Sequence, residues 1–321
     1  MHSNGPTLIT GASGFAGLHL LTHLAGMGAT DLHAWSRSGT PVHATDAAAW
    51  RAVDLVDAGG VDRAIAETQP RRVYHLAGAT HVGASWQRPT SFLETNLWGT
   101  HVLLDALRRH VPACRIVVVT SGMIYRMSAD DRRAVTEETP MGPTSPYAFS
   151  KFAEDQLALH AAAADDLDIV VARPFNHTGP GQSADFAASS FAKQVASIEA
   201  GLVSPTISVG NLDAARDLSD VRDVVAAYVA LMGRGRRGTA YNIASGSALV
   251  MRAVLDQLIA LSSVPVTITI DPARMRPADI PWMAGDASRL STDTDWTPRI
   301  PLASTLSDLL SYWRHTLAQA Q

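Results

Sequence analysis

Apolar residues in the first half of the chain fall in short, nearly unbroken runs. Each run is followed or preceded by a stretch in which they recur every three or four positions. The runs are TLIT (7–10), LHAWS (32–36), RRVYHLAG (71–78), RIVVVTS (115–121) and LDIVVARP (167–174). The periodic stretches cover 15–26, 58–69, 89–110 and a segment that opens near Tyr147. Unbroken apolar runs mark strands buried on both faces, and a 3.6-residue period marks helices lying against them. Their alternation predicts right-handed crossovers and an α/β, doubly wound parallel sheet of the Rossmann type.

After Pro174 the rhythm changes. NHTGPGQS (176–183) is loop chemistry, rich in glycine and proline. Helical periods return over 186–201, 219–232, 250–262 and 302–317, with strand-like runs at 241–245 and 266–270. The expected organisation is a Rossmann domain over 1–173, with 216–245 returning to it. A smaller C-terminal substrate-binding lobe is then expected from 174–215 and 246–321. Such a lobe would close over the C-terminal strand edge, where doubly wound sheets bind ligands.

The first strand-to-helix junction, LITGASGFAG, gives that edge a chemistry. Gly11 permits a tight turn, Gly14 lets backbone approach an anion, and Gly17 lets helix and strand pack closely. The helix start then offers unpaired N–H groups to a pyrophosphate, with Ser13 and Phe15 in the same loop. A carboxylate closing the second strand would bind a ribose 2′-hydroxyl. Here that strand ends Ser36-Arg37-Ser38, which suits a 2′-phosphate. NADP(H) is therefore the favoured dinucleotide, with NAD(H) left open.

Composition narrows the partners. The chain has 321 residues, 46% hydrophobic and 17% charged, and a net charge of −4. That balance is globular and offers no basic field for nucleic acid or an anionic membrane. No segment approaches the ~18 continuous apolar residues of a membrane helix. The N-terminus shows no basic leader with an apolar stretch behind it, so no secretion signal is expected. The single cysteine, Cys114, precludes an intrachain disulfide and fits a reducing cytoplasm. His19 and His23 have an i, i+4 spacing but lack the glutamate of a zincin, so no metal site is expected. There is no G-x-S-x-G nucleophile elbow.

Tyr147 and Lys151 in SPYAFSK stand four apart, on one face of a helix that Ser145 and Pro146 are suited to start. A free phenol, with a pKa of about 10, is a poor proton donor near neutrality, and a neighbouring ammonium lowers that value. The pair is thus a tunable acid/base. Ser121, ending the strand VVVTS, is placed to hold a substrate oxygen.

These residues resemble the extended short-chain dehydrogenase/reductase family over nearly the whole chain. The matching pieces are TGASGFAG, VDL (53–55), HLAG (75–78), NLWGT (96–100), TSGMIY (120–125), YAFSK (147–151) and RPFN (173–176). The resemblance implies a catalytic set of Ser121, Tyr147 and Lys151, with Tyr147 and Lys151 also touching the cofactor. Beside Arg37, already read from the end of the second strand, it further implies cofactor contacts from Asp54, Leu55, Leu76, Ala77 and Gly78. Arg126 departs from the family pattern, where glycine is usual. In the second half, VARPFNHTGPGQ and DPARMRPAD resemble the GDP-6-deoxy-D-mannose reductases, which form GDP-D-rhamnose. That implies a GDP-sugar substrate gripped by Asn176, Arg216 and Arg276. Ser85 is a candidate for the sugar site, with a purely structural role equally open.

The implied activity is NADPH-dependent reduction of GDP-4-keto-6-deoxy-D-mannose at C4. Related 4,6-dehydratases carry a glutamate two residues after the catalytic Ser or Thr. Met123 occupies that position and carries no proton to exchange. A 4-epimerase would use the same three residues and stays open, as does a non-catalytic dinucleotide sensor. Family members commonly dimerise through the helices matching 90–110 and 146–163. Leu97, Leu103, Leu104, Leu157 and Leu159 could serve such a homodimer or the core.

Overall fold

The computed structural model describes residues 5–39, 47–126, 132–275 and 280–319. Six strands are spaced along the first half: β1 (Thr7–Thr10), β2 (Leu32–Ser36), β3 (Ala49–Ala52), β4 (Arg72–His75), β5 (Arg115–Val119) and β6 (Asp168–Pro174). The second half adds β7 (Asn176–Thr178), β8 (Thr206–Val209), β9 (Ala215–Asp220), β10 (Thr239–Ile243), β11 (Ala248–Val250), β12 (Thr267–Ile270) and β13 (Trp282–Met283). The main sheet has seven parallel strands in the order β3-β2-β1-β4-β5-β6-β10. The chain reverses direction of winding between β1 and β4, which opens a crevice at their C-terminal ends.

Helices α1 (Phe15–Gly26), α2 (Ala58–Thr68), α3 (Val82–Gln87), α4 (Pro89–Leu93), α5 (Gly99–His110) and α6 (Pro146–Ala164) belong to the first half. Helices α7 (Ala187–Glu199), α8 (Val221–Arg234), α9 (Met251–Ala260), α10 (Ser288–Thr294) and α11 (Leu302–Gln319) follow. The period-2 rule explains why the strands read as unbroken apolar runs. Leu8, Ile116, Val118, Ile169 and Val171 point to the layer of α2, α5 and α6. Their neighbours Ile9, Val117, Val170 and Ala172 point to the opposite layer of α1 and α8. Leu103 and Leu104 lie in the first of these cores, so they do not form an outer surface.

A separate apolar core joins α7, α9 and α11 through Phe191, Val195, Val254, Leu258, Leu306 and Leu309. Beside it, β9 pairs with β7, β11 and β13, and β8 pairs with β12. The sequence pattern predicts one continuous helix over 89–110. Instead a π-helical turn at Glu94–Trp98 separates α4 from α5 and turns Asn96 fully inward. β3 escaped the apolar pattern because it is an edge strand, paired only with β2 and half exposed.

Candidate active site

The start of α1 is built by its glycines. Gly11 has φ +67°, and a Cβ there would lie 2.6 Å from Ala77 N at the end of β4. A Cβ on Gly17 would lie 2.3 Å from the Gly11 carbonyl oxygen, so helix and strand are in near contact only because it is absent. Gly14 is the N-cap and supplies no side-chain acceptor. Beyond its chain neighbours and its own helix, only the Gly11 oxygen among the described residues comes within 4 Å of where a Cβ would stand. An uncapped helix start with open backbone fits a pyrophosphate. Arg37 is exposed just past β2, where Ser36 Oγ donates to the Gly39 carbonyl. Asp54 is exposed and accepts from Val56 N at 3.2 Å, while Leu55 is buried against Gly99. Leu76 N and Ala77 N both donate to Thr10, at its carbonyl and hydroxyl oxygens.

Ser145 caps α6 by accepting from Ala148 N at 3.1 Å, and Pro146 opens the helix, which places Tyr147 in its first turn. Tyr147 is 8% exposed, its ring edge-on to Phe92 at 6.4 Å. One turn on, Lys151 is buried. Its Nζ donates to the Val119 carbonyl at 2.9 Å and to Glu154 Oε2 at 2.7 Å. A Cβ on Gly78 would stand 3.1 Å from that Nζ. The ammonium therefore sits between the ends of β4 and β5. Ser121 follows β5 and caps a short turn over 122–124 that packs against α6. Its Oγ accepts from Met123 N at 3.1 Å, which leaves the hydroxyl hydrogen available to a substrate oxygen. A Cβ on Gly122 would meet the Phe175 ring at 2.8 Å, and the half-buried Met123 packs against the apolar cluster that includes Tyr125, Val135 and Phe175. Arg126 is accommodated by Gly142, since its own Cβ occupies the space a side chain at 142 would need.

A family model described as GDP-mannose 4,6 dehydratase matches residues 8–309. The chain belongs to this family. The GDP-6-deoxy-D-mannose reductase of Pseudomonas aeruginosa is 35% identical over 305 residues, covering 95% of this chain and 96% of that protein. The structure of RMD from Pseudomonas aeruginosa complexed with NADPH is similar, with a TM-score of 0.85 and 33% identity over 97% of this chain and 99% of that one. The UDP-glucose 4-epimerase of Thermus thermophilus in complex with NAD has a TM-score of 0.86 and 26% identity, over 96% and 99% of the two chains. The family's members and these neighbours are enzymes acting on sugar nucleotides, and the chain is an enzyme of the same kind.

The remaining candidates that the structure describes lie on β7, β9 and α3. Asn176 is exposed at the start of β7 and stands opposite Leu218 of β9, and Arg216 lies two residues earlier on that strand. With a period of two, Asn176 and Arg216 project from the same face. Arg216 Nη1 donates to the Ala215 and Ile280 carbonyls. Ser85 is fully buried and donates to the Val82 carbonyl at 2.7 Å. Arg276 lies outside the described residues. His19 bonds the Pro180 carbonyl at 2.8 Å. Among the described residues no three His, Cys, Asp or Glu side chains gather as a metal site.

Several buried polar residues around these candidates do not stand out in the sequence as individual site residues. Asn96 Oδ1 accepts from Ala79 N at 2.7 Å, while its Nδ2 donates to Ala79 O at 3.1 Å and Ser150 Oγ at 2.8 Å. Ser150 in turn donates to the Tyr147 carbonyl at 2.8 Å. The loop after β4 is thereby tied to the turn that carries Tyr147. Asp155 binds Arg173 by two 2.8 Å bonds, and Arg173 Nη1 donates to Tyr125 Oη at 2.8 Å. Glu154 stands three residues after Lys151, a spacing that permits their bond without marking it as buried, whereas Asp155 pairs with Arg173 on another element.

Proposed function

We propose that the protein is an NADPH-dependent oxidoreductase that reduces GDP-4-keto-6-deoxy-D-mannose at C4 to GDP-D-rhamnose. The observation that carries the choice of reaction is at position 123. Ser121, Tyr147 and Lys151 surround the strand ends, but the residue two beyond Ser121 is a packed methionine. A thioether can neither accept nor give the proton that elimination across C5–C6 requires, which leaves reduction or epimerisation. The 35% identity to a GDP-6-deoxy-D-mannose reductase over 95% of the chain supports the former. Residues 36–39, Ser-Arg-Ser-Gly, hold no carboxylate against a 2′-phosphate, and the similar reductase structure contains NADPH.

The residues present fit the roles. Backbone N–H groups at the start of α1 bind the pyrophosphate, and Arg37 pairs the 2′-phosphate. When bound, the nicotinamide supplies a hydride to the carbonyl carbon. Ser121 donates a hydrogen bond to the carbonyl oxygen. As negative charge gathers on that oxygen, Tyr147 transfers its phenolic proton to it. Lys151 stabilises the phenolate left behind and holds the ribose. Asn176, Arg216 and Arg276 grip the nucleotide-sugar diphosphate.

We place the enzyme in the cytoplasm as a homodimer. Among the described residues no helix is long and apolar enough to cross a membrane. Trp86, Trp98 and Phe149 are each about half exposed on α3, the π-helical turn and α6, an apolar surface suited to a second copy.

The test is a panel of 4-keto-6-deoxy nucleotide sugars offered with NADPH. Consumption with the GDP sugar and formation of a GDP-6-deoxyhexose are expected. Turnover with only a thymidine or uridine sugar would overturn the substrate assignment.

A further inference from the structure

Behind Lys151 lies a buried polar chain that the reaction above does not use. Glu154 Oε2 accepts from Lys151 Nζ at 2.7 Å, and its Oε1 lies 3.2 Å from Thr100 Oγ1. Thr100 Oγ1 lies 2.8 Å from His75 Nε2, and His75 Nδ1 lies 2.7 Å from Thr10 Oγ1. Thr10 Oγ1 accepts from Ala77 N at 3.3 Å, so the chain ends beneath the glycine loop. Thr10, His75, Thr100 and Glu154 are each 0% exposed, and Lys151 is 3%.

The donor inventory fixes the protons from the Thr100 end. Its single hydrogen is directed to the Asn96 carbonyl and Glu154, so His75 Nε2 carries the imidazole hydrogen and gives it to Thr100. His75 Nδ1 then accepts from the Thr10 hydroxyl. Burial holds His75 down to about 3, so it stays neutral, and its 3.8 Å approach to Glu154 is not an ion pair. The one hydrogen of Thr100 is shared between the Asn96 carbonyl, 2.6 Å away, and Glu154. An ionised Glu154 accepts from Thr100, and a protonated one can donate to it. Both states are accommodated.

We propose that Glu154 is a positioning residue: it anchors the Lys151 ammonium and, by its own charge state, sets how much positive charge faces Tyr147. The proposal rests on the reading of Tyr147 and Lys151 as the acid/base pair. An ammonium bonded to a carboxylate acts at a distance as a nearly neutral dipole. The same ammonium beside a protonated carboxyl acts as a full charge, weakly screened in a buried site. Burial raises the Glu154 carboxyl to about 7, against the pull of Lys151 and the Thr100 hydroxyl. The charge therefore changes near neutral pH. The ionisable groups that face Glu154 are Lys151 and Asp155 on its own helix and His75 on β4. Asp155 is tied to Arg173 of β6, and α5 contributes the Thr100 hydroxyl.

The test compares wild type with Glu154→Gln, a near-isosteric change that removes the titration. The wild-type rate of reduction is expected to fall across an inflection near pH 7 as Glu154 ionises, and Glu154→Gln is expected to lose that inflection. Independently of turnover, the phenolate absorbance band of Tyr147, isolated by subtracting Tyr147→Phe spectra, is expected to appear about one pH unit lower in Glu154→Gln. An unmoved or upward-moved band, with an unchanged pH profile, would make Glu154 merely structural. Turnover surviving in Tyr147→Phe would instead overturn the acid/base reading itself, and the two failures are thus separable. Should Glu154→Gln not fold, glutamate carboxyl NMR of the wild type serves: the Glu154 signal must titrate at the kinetic inflection, and titration elsewhere overturns the proposal.

Discussion

Tyr147 and Lys151 divide the proposed chemistry between a proton and the charge that releases it. Tyr147→Phe keeps the ring against Phe92 and removes only the hydroxyl. Turnover is expected to fall by about 10² to 10⁴ with NADPH affinity nearly unchanged, measured by steady-state rates and fluorescence titration. His75 gives a prediction on stability. Its imidazole is held neutral by burial down to about 3, whereas in the unfolded chain it takes up a proton near 6.5. Between those values the unfolded state binds more protons, so acidification destabilises the fold, by up to ~1.4 kcal/mol per pH unit. Denaturant titrations from pH 6.5 to 4 are expected to show a smaller loss in His75→Gln than in wild type. The same network marks where the sequence stopped being legible. Tyr147 and Lys151 stand out because their spacing has a chemical meaning. Glu154 and Asp155, in FAED, read like any solvated helix charges, because nothing local tells a buried carboxylate from an exposed one.

The elements were legible where their burial is two-sided. β1, β5 and β6 carry apolar residues toward both helix layers, and α1 follows a glycine pattern whose geometry admits few alternatives. β3, β11 and β13 are short and border the sheets, with too little burial to leave a pattern. The π-helical turn was hidden for another reason: one extra residue in a turn leaves the apolar period on either side intact. Its effect is large, since it points Asn96 at Ala79 and Ser150. Asn96→Ala would strand those partners, and a loss of about 1–3 kcal/mol is expected in denaturant unfolding. The junction of α1 and β1 is as tightly specified. Gly17→Ala would place a methyl 2.3 Å from the Gly11 carbonyl oxygen. The helix must move off the strand, at a cost of about 1–3 kcal/mol. A lowered melting temperature and roughly tenfold or greater weakening of NADPH binding are expected.

Across the molecule, the proposed reaction draws on the strand ends of the seven-stranded sheet for the cofactor, on the turn after β5 and on α6 for Ser121, Tyr147 and Lys151, and on β7 and β9 for Asn176 and Arg216. Trp86, Trp98 and Phe149, each about half exposed, lie on α3, the π-helical turn and α6, and are proposed to meet a second copy. Wild type is expected to sediment as a dimer, and Trp98→Glu as a monomer. Leucines 103 and 104 could not be assigned to core or interface from periodicity alone, because a helix in a layered fold has an apolar stripe in either case. The most direct test of the account follows the hydride. The protein is incubated with GDP-4-keto-6-deoxy-D-mannose and NADPH deuterated at the nicotinamide C4, and the product is examined by NMR. The account requires one deuterium at sugar C4 of a GDP-6-deoxyhexose for each NADPH oxidised; an altered sugar with no net NADPH oxidation, or no reaction, would contradict it.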